Sequence, residues 1–250
     1  MYNRITLGGV QLPSYSVCII LGIVLANIVA FVVAKRRKIC FETLVLIEVF
    51  GGIGAFVGAK LWFQMEVNGL KNLTLDKLLS GGWSSYGGLL AGILTVLIVC
   101  RWNHFDRHLY ERNFIFLVPV VHMFWKIGCY MAGCCYGVEY GGVFAVQFPE
   151  NSPAPAGVLL FPVQLLEAIL LGGLAVLLYR GGKKEEFESP IIKYVFGYGS
   201  IRFFVEFLRY REDRWIFSVS QWIALVAVLL TMGYLQYKRM SIKQGGERCE

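Results

Sequence analysis

Charged residues are scarce in this sequence: Asp, Glu, Lys and Arg make up 16% of 250 residues, against 56% hydrophobic. That balance does not describe a water-facing surface, and it points to a chain solvated by lipid. The same lack of polar residues excludes intrinsic disorder. Its 28 glycines follow no strict period, which excludes a collagen-like fibre. Seven cysteines are too few for a disulfide-stapled secreted scaffold of this length. Long repeats, low-complexity tracts and a soluble domain are also missing. What the sequence has instead is long apolar runs.

Crossing ~30 Å of hydrocarbon takes about 20 residues of helix. Seven runs approach that length: approximately Pro13 to Ala34, Glu42 to Met65, Ser84 to Cys100, Arg112 to Cys134, Val158 to Tyr179, Ile191 to Leu208 and Ser220 to Tyr237. They are too long for the strands of a barrel and lack period-two alternation. The expected fold is all-α, a polytopic membrane protein of about seven transmembrane helices, with residues 1–250 forming a single membrane domain with short loops. The longest polar stretches, Glu66 to Gly82, Val138 to Gly157 and Gly181 to Pro190, are expected to be surface connections.

Basic residues set the expected orientation. With the N terminus outside, the inner segments hold Lys35 to Lys38, then Arg101, Arg107 and Arg112, then Arg180, Lys183, Lys184 and Lys193, and a tail with Lys238, Arg239, Lys243 and Arg248. The outer segments hold only Arg4, Lys71, Lys77, Arg209, Arg211 and Arg214. This alternation places the N terminus out and the C terminus in. No basic segment precedes the first run, which therefore reads as a retained span rather than a cleaved signal peptide. The net charge of +7 belongs to topology and anionic lipid, and nucleic acid is not an expected partner.

An ionisable side chain at mid-bilayer costs at least about 2.5 kcal/mol, so each is expected to face a partner or a wet cavity. Lys60, Lys126 and Arg202 balance Glu48, Glu167 and Glu206 inside the runs. Arg202, Glu206 and Arg209 form one stripe of the sixth run, rising toward Arg211 and Arg214. This stripe is a candidate anion clamp, beside the alternative of exposed loop charge. His122, Lys126, Cys129, Tyr130 and Gly133 share a stripe of the fourth run, and Gln164 shares a face with Glu167. Lys126 either adds a cation to the clamp or neutralises Glu167. Glycines at 51, 52, 54 and 58 suit close helix contact. Gly87 and Gly88 stand near a helix start, where backbone N–H groups can face an anion.

Three of the cysteines, Cys129, Cys134 and Cys135, cluster in Gly128-Cys129-Tyr130-Met131-Ala132-Gly133-Cys134-Cys135. The segment has neither a C-x-x-C pair nor added histidine, so no metal is expected. A reactive thiol or redox pair and simple close packing both remain open.

These motifs, in this order and over nearly the whole chain, resemble the prolipoprotein diacylglyceryl transferase family, seven-helix enzymes of the bacterial cytoplasmic membrane. The family's Y-G-x-x-R-x-x-x-E-x-x-R is intact from Tyr198 through Arg202 and Glu206 to Arg209, and Gln221 matches the glutamine that opens its last helix. The start of its H-G-G-L-x-G corresponds to Tyr86, Gly87 and Gly88, in the stretch that runs to Gly92. Its G-R-x-G-N-F-x-N-G-E corresponds to Trp125 through Cys134, and its H-P-x-Q-L-Y-E to Phe161 through Glu167. Tyr86 and Phe161 stand where the family has histidine, Lys126 where it has arginine, Cys129 where it has asparagine and Cys134 where it has glutamate. The pattern is that of a divergent, cysteine-containing branch.

The resemblance implies transfer of a diacylglyceryl group from phosphatidylglycerol to the thiol of a lipobox cysteine, with release of glycerol phosphate. The partners it implies are a phospholipid and a prolipoprotein or other acceptor at the outer leaflet, with no cofactor. Its implied catalytic residues are Tyr86, Lys126, Arg202 and Glu206. Tyr15, Gly87, Gly88, Gln164, Glu167 and Arg209 are the implied substrate contacts, and Tyr86 either accepts a proton or only hydrogen-bonds. Three alternatives stand beside this reading: a transferase with another acceptor or a lipid-carrying enzyme cysteine, a thiol-redox membrane protein, and a lipid-binding or transport protein.

Overall fold

The computed structural model describes residues 4–7, 10–69, 76, 82, 84–181, 189–211 and 216–246. Lys71, Lys77, Lys183, Lys184, Arg214, Arg248 and Cys249 lie outside them. The chain divides into two compact units, Phe31–Tyr110 and Met1–Ala30 with Glu111–Glu250.

Helices dominate. A short hairpin of β1 (Arg4–Leu7) and β2 (Val10–Pro13) leads into α1 (Ser14–Arg37), and α2 (Phe41–Asn68) and α3 (Ser85–Trp102) follow. Helix α1 closes on Lys35, Arg36 and Arg37, cations that complement the negative end of its dipole. In the Phe31–Tyr110 unit α2 packs on α3 through small residues. A Cβ on Gly58 would collide with Ala91 and the Gly87 carbonyl, and one on Gly87 with Trp62 and the Gly58 carbonyl. The backbones thus approach as closely as small residues permit.

The fourth expected run is broken. Helix α4 (Arg107–Phe114) stops and α5 (Leu117–Ala132) begins after Ile115 and Phe116. Pro119 explains the break: proline lacks an N–H, and its ring clashes with the carbonyl four residues earlier, which is that of Ile115. The fifth run also starts later than expected, with α6 at Val163–Gly181. Pro162 pushes Phe161 out of helical backbone, and Leu159–Leu160 form β4, antiparallel to β3 (Val146–Gln147). Helix α7 (Pro190–Val205) runs into a 3-10 turn, Glu206–Leu208, and α8 is Val219–Gly246.

Among the described residues α1, α2, α6 and α8 are long and apolar enough to cross a membrane, and a bent α4–α5 pair makes a fifth candidate. A shorter apolar helical stretch covers Leu90–Trp102. Large apolar side chains such as Ile20 and Ile28 on α1 and Leu229 and Leu230 on α8 are exposed, as lipid-facing surfaces require.

In the unit containing the C-terminal half, α5 packs on α6, α6 on α7 and α7 on α8. Gly128 lets α5 pass within contact of Tyr15 and Cys18 of α1. Val138 to Gly157 is more than a surface connection. Phe148, Ala154 and Leu160 form a buried cluster with Tyr130, Tyr136 and Val158 packed against it, so this segment covers the end of α5.

Replacing Gly58 by Val should overpack the α2–α3 crossing and destabilise the protein by about 1–3 kcal/mol. Thermal unfolding in detergent would read this as a lowered Tm. Gly52→Ala, with nothing within 4 Å of the added Cβ, should leave Tm unchanged or slightly raised.

Candidate functional site

The site is built where α5 ends. Gly133 takes the left-handed conformation (φ 71°) that a helix-terminating glycine adopts readily. Its N–H donates to the Tyr130 carbonyl at 3.2 Å, and the Cys134 N–H donates to the Cys129 carbonyl at 3.1 Å. These two bonds form a Schellman closure. They bring residue 134 back beside residue 129, and the Cys134 thiol also donates to the Cys129 carbonyl at 3.7 Å. Cys135 is itself left-handed (φ 56°), a rare state for a residue with a Cβ, and its side chain rejoins the other two. The sulfurs of Cys129, Cys134 and Cys135 lie within 4.8 Å of one another, a set able to hold a metal ion. Residue spacing offers no reason to expect one; turn geometry supplies it. Past the helix, the Cys135 thiol is drawn below the usual thiol range by a hydrogen bond from the Cys129 thiol, with the Arg209 and Lys126 charges adding to it.

Beside the thiols runs a chain of alternating charges. Lys126 Nζ meets Glu167 Oε2 at 2.9 Å, and Arg202 Nη1 approaches Glu167 Oε1 at 3.7 Å. Arg202 Nη2 meets Glu206 Oε2 at 3.0 Å, and Arg209 Nη1 lies 3.7 Å from the same oxygen. Lys126, Glu167 and Glu206 are buried. The three cations and two carboxylates leave one positive charge in excess, toward which an anion would be drawn. The pairing is also incomplete: Arg202 Nη1, Glu167 Oε1 and Glu206 Oε2 are buried with no hydrogen bond among the described residues. Arg202 therefore keeps donor capacity for a further acceptor.

Two segments lock the arrangement. The Val138 N–H donates to the Leu208 carbonyl at 3.0 Å, Phe161 N–H to the Val138 carbonyl at 3.0 Å, and Tyr210 N–H to the Tyr136 carbonyl at 3.1 Å. Gly137 pairs with Arg209 across an antiparallel bridge. A Cβ there would strike the Phe161 carbonyl and lie 2.9 Å from the Leu208 carbonyl, so the strand fits only as glycine. Gln164, almost fully buried, donates from Nε2 to the Cys134 carbonyl at 2.8 Å and anchors the cysteine turn to α6.

At the start of α8, Ser218 and Gln221 form a reciprocal capping box: Ser218 N–H to Gln221 Oε1 at 2.9 Å and Gln221 N–H to Ser218 Oγ at 3.1 Å. The same Gln221 Oε1 accepts from Arg211 Nη1 at 3.2 Å, and Gln221 Nε2 donates to the Phe203 carbonyl at 3.3 Å.

Thus Lys126, Gln164, Glu167, Arg202, Glu206, Arg209 and the three cysteines come together. The Arg202–Glu206–Arg209 stripe is only partly helical, because Glu206 sits in the 3-10 turn and Arg209 is extended. Tyr15 stacks edge-on with Trp125, ring centroids 6.1 Å apart, within electrostatic range of the three cysteines. Gly87 and Gly88 serve the α2–α3 contact of the other unit, and the Gly88 N–H is bonded to the Ser84 carbonyl at 3.1 Å. Glu48 and Lys60 belong to that unit too and have interactions of their own. Tyr86 lies on α3, with its side chain outside the described residues. Tyr198 was not among the candidates. It stacks with Tyr194, contacts His122 at 5.1 Å between ring centroids, and feels Arg202, Glu167 and Glu206. Its signal was the i,i+4 spacing to Arg202.

Residues 3–237 match the family model of prolipoprotein diacylglyceryl transferase. The chain is similar to phosphatidylglycerol–prolipoprotein diacylglyceryl transferase 2 of Clostridium perfringens, 30% identical over 258 residues and covering 99% of each chain. It is 30% identical to the phosphatidylglycerol–prolipoprotein diacylglyceryl transferase of Clostridium tetani, over 89% of this chain and 91% of the relative. Against the similarly named protein of Streptococcus sanguinis the identity is 26%, over 94% of each chain.

Glu167→Gln would leave Lys126 and Arg202 without their shared carboxylate. Breaking a buried pair in this way should cost about 3–5 kcal/mol, measured as a Tm loss in detergent. Gln221→Ala removes half of the capping box and the Arg211 contact together, and should cost about 1–3 kcal/mol in the same assay.

Proposed function

The chain belongs to the prolipoprotein diacylglyceryl transferase family, and from that premise we propose that it moves a diacylglyceryl group from phosphatidylglycerol to a lipobox cysteine thiol. The observation that carries this reading is the charge chain of Lys126, Glu167, Arg202, Glu206 and Arg209, three of them buried and the two arginines partly so, with its one surplus positive charge and unspent Arg202 donors. The departing glycerol phosphate gains negative charge as its C–O bond breaks. Cations already in place in a low-dielectric setting favour that transition state. Arg202 and Arg209 bind the phosphate, Glu206 orients both guanidinium groups, and Lys126 adds a third cation held by Glu167. Gln164 fixes the neighbouring turn, and Tyr15 contacts the lipid. Tyr86, Gly87 and Gly88 take their part in this reading from the family motif alone.

The proposal includes one membrane domain of seven spans in the bacterial cytoplasmic membrane, N terminus out and C terminus in, with the reaction at the outer leaflet. The distribution of Lys and Arg supports the orientation. The apolar stretch of α3 and the continuation of α7 through its 3-10 turn support the two spans that are shorter than the rest.

The purified protein, given phosphatidylglycerol and a lipobox peptide, should yield diacylglyceryl-peptide by mass analysis. Arg202→Ala should lower the rate by about 100-fold or more, with Arg202→Lys intermediate because a lysine cannot grip phosphate bidentately. Full activity in Arg202→Ala would remove the phosphate assignment.

A further inference from the structure

The phosphate assignment makes no use of Cys129, Cys134 and Cys135. They nevertheless occupy a turn held by the Gly133 closure, by Gln164 and by the strand through Gly137. A zinc-class ion with ~2.3 Å bonds holds its sulfurs about 3.8 Å apart. From a set within 4.8 Å, small side-chain rotations suffice to close on one ion. Three protein ligands leave a tetrahedral ion one open position, the pattern of catalytic zinc rather than of closed structural sites. Sulfur ligands favour thiophilic ions over magnesium or calcium.

We propose that Cys129, Cys134 and Cys135 form a three-thiolate site for a thiophilic divalent cation of the zinc class, whose open position takes the acceptor thiol. The clause on the acceptor rests on the transferase reading. A thiol that coordinates such an ion is deprotonated outright. That supplies the ionisation step where Phe161 and Cys134 stand at a histidine and a glutamate position of the family motif. On coordination the acceptor S–H gives its proton to water. Its sulfur then attacks the glyceryl carbon; the new C–S bond forms as the C–O bond to phosphate breaks, and the electron pair leaves with glycerol phosphate. Nothing is oxidised or reduced.

The test uses full-length protein reconstituted under reductant, titrated with Zn2+ and with Co2+ as spectroscopic probe. One Co2+ should bind per chain, with thiolate-to-cobalt charge-transfer absorption in the near ultraviolet. A lipobox peptide should shift the visible cobalt bands, and the same peptide with serine for cysteine should not. Each of Cys129→Ser, Cys134→Ser and Cys135→Ser should weaken binding by about tenfold or more, while exposed Cys40→Ser should not. Matching metal-free Tm values would show that the serine variants fold. Absence of the charge-transfer band, its survival in all three variants, or a disulfide within the trio in anaerobically isolated protein would each overturn the site. Lipobox conversion that persists after chelation would sink the metal inference and leave the transferase standing. Cobalt binding without conversion would keep the site and sink the transferase reading with its acceptor clause.

Discussion

A single carboxylate ties three helices together. Glu167 of α6 receives Lys126 from α5 on one oxygen and Arg202 from α7 near the other, in surroundings where lipid solvates none of them. Removing any one charge leaves its partners uncompensated, so the relative placement of these helices is coupled to their electrostatics. Glu206 extends the chain to Arg209, whose side chain is 26% exposed. The charge chain thereby ends on a partly exposed cation. A fully balanced chain would only hold helices together; an odd one also attracts an anion.

Backbone geometry decides what lies beside that charge. Gly133 and Cys135 are left-handed within three positions of each other, and the reversal returns Cys134 and Cys135 to Cys129. The chain then threads as Gly137 between the Phe161 and Leu208 carbonyls, where no side chain fits, and bonds to the segment carrying Arg209. The three sulfurs and the segment carrying Arg209 are thus held on one hydrogen-bonded assembly rather than on separate loops.

Two of the departures from the family motif meet in this arrangement. The stretch from Tyr198 to Arg209 that supplies the cations is intact, whereas asparagine and glutamate positions have become Cys129 and Cys134. Both replacements enter the same sulfur cluster, together with Cys135. At these two positions a hydrogen-bonding carboxamide and a carboxylate are replaced by thiols.

By itself the sequence determined the solvent, the lengths of most helices and the local charge pairs. Apolar run length follows from membrane thickness, and Arg202–Glu206 from the helical repeat. The break before α5 interrupts the run expected from Arg112 to Cys134, yet its cause is local, the clash of the Pro119 ring with a helical Ile115 carbonyl. The Schellman turn was open to the same local reasoning through Gly133. Tertiary structure alone decided that Lys126 meets Glu167, that Val138 to Gly157 folds over the end of α5, and that the glutamine capping α8, Gln221, also holds Arg211. The difference is physical: backbone bonds and solvation act over a turn or two of chain, whereas contacts between helices depend on their rotation and register, which many weak packing interactions settle together.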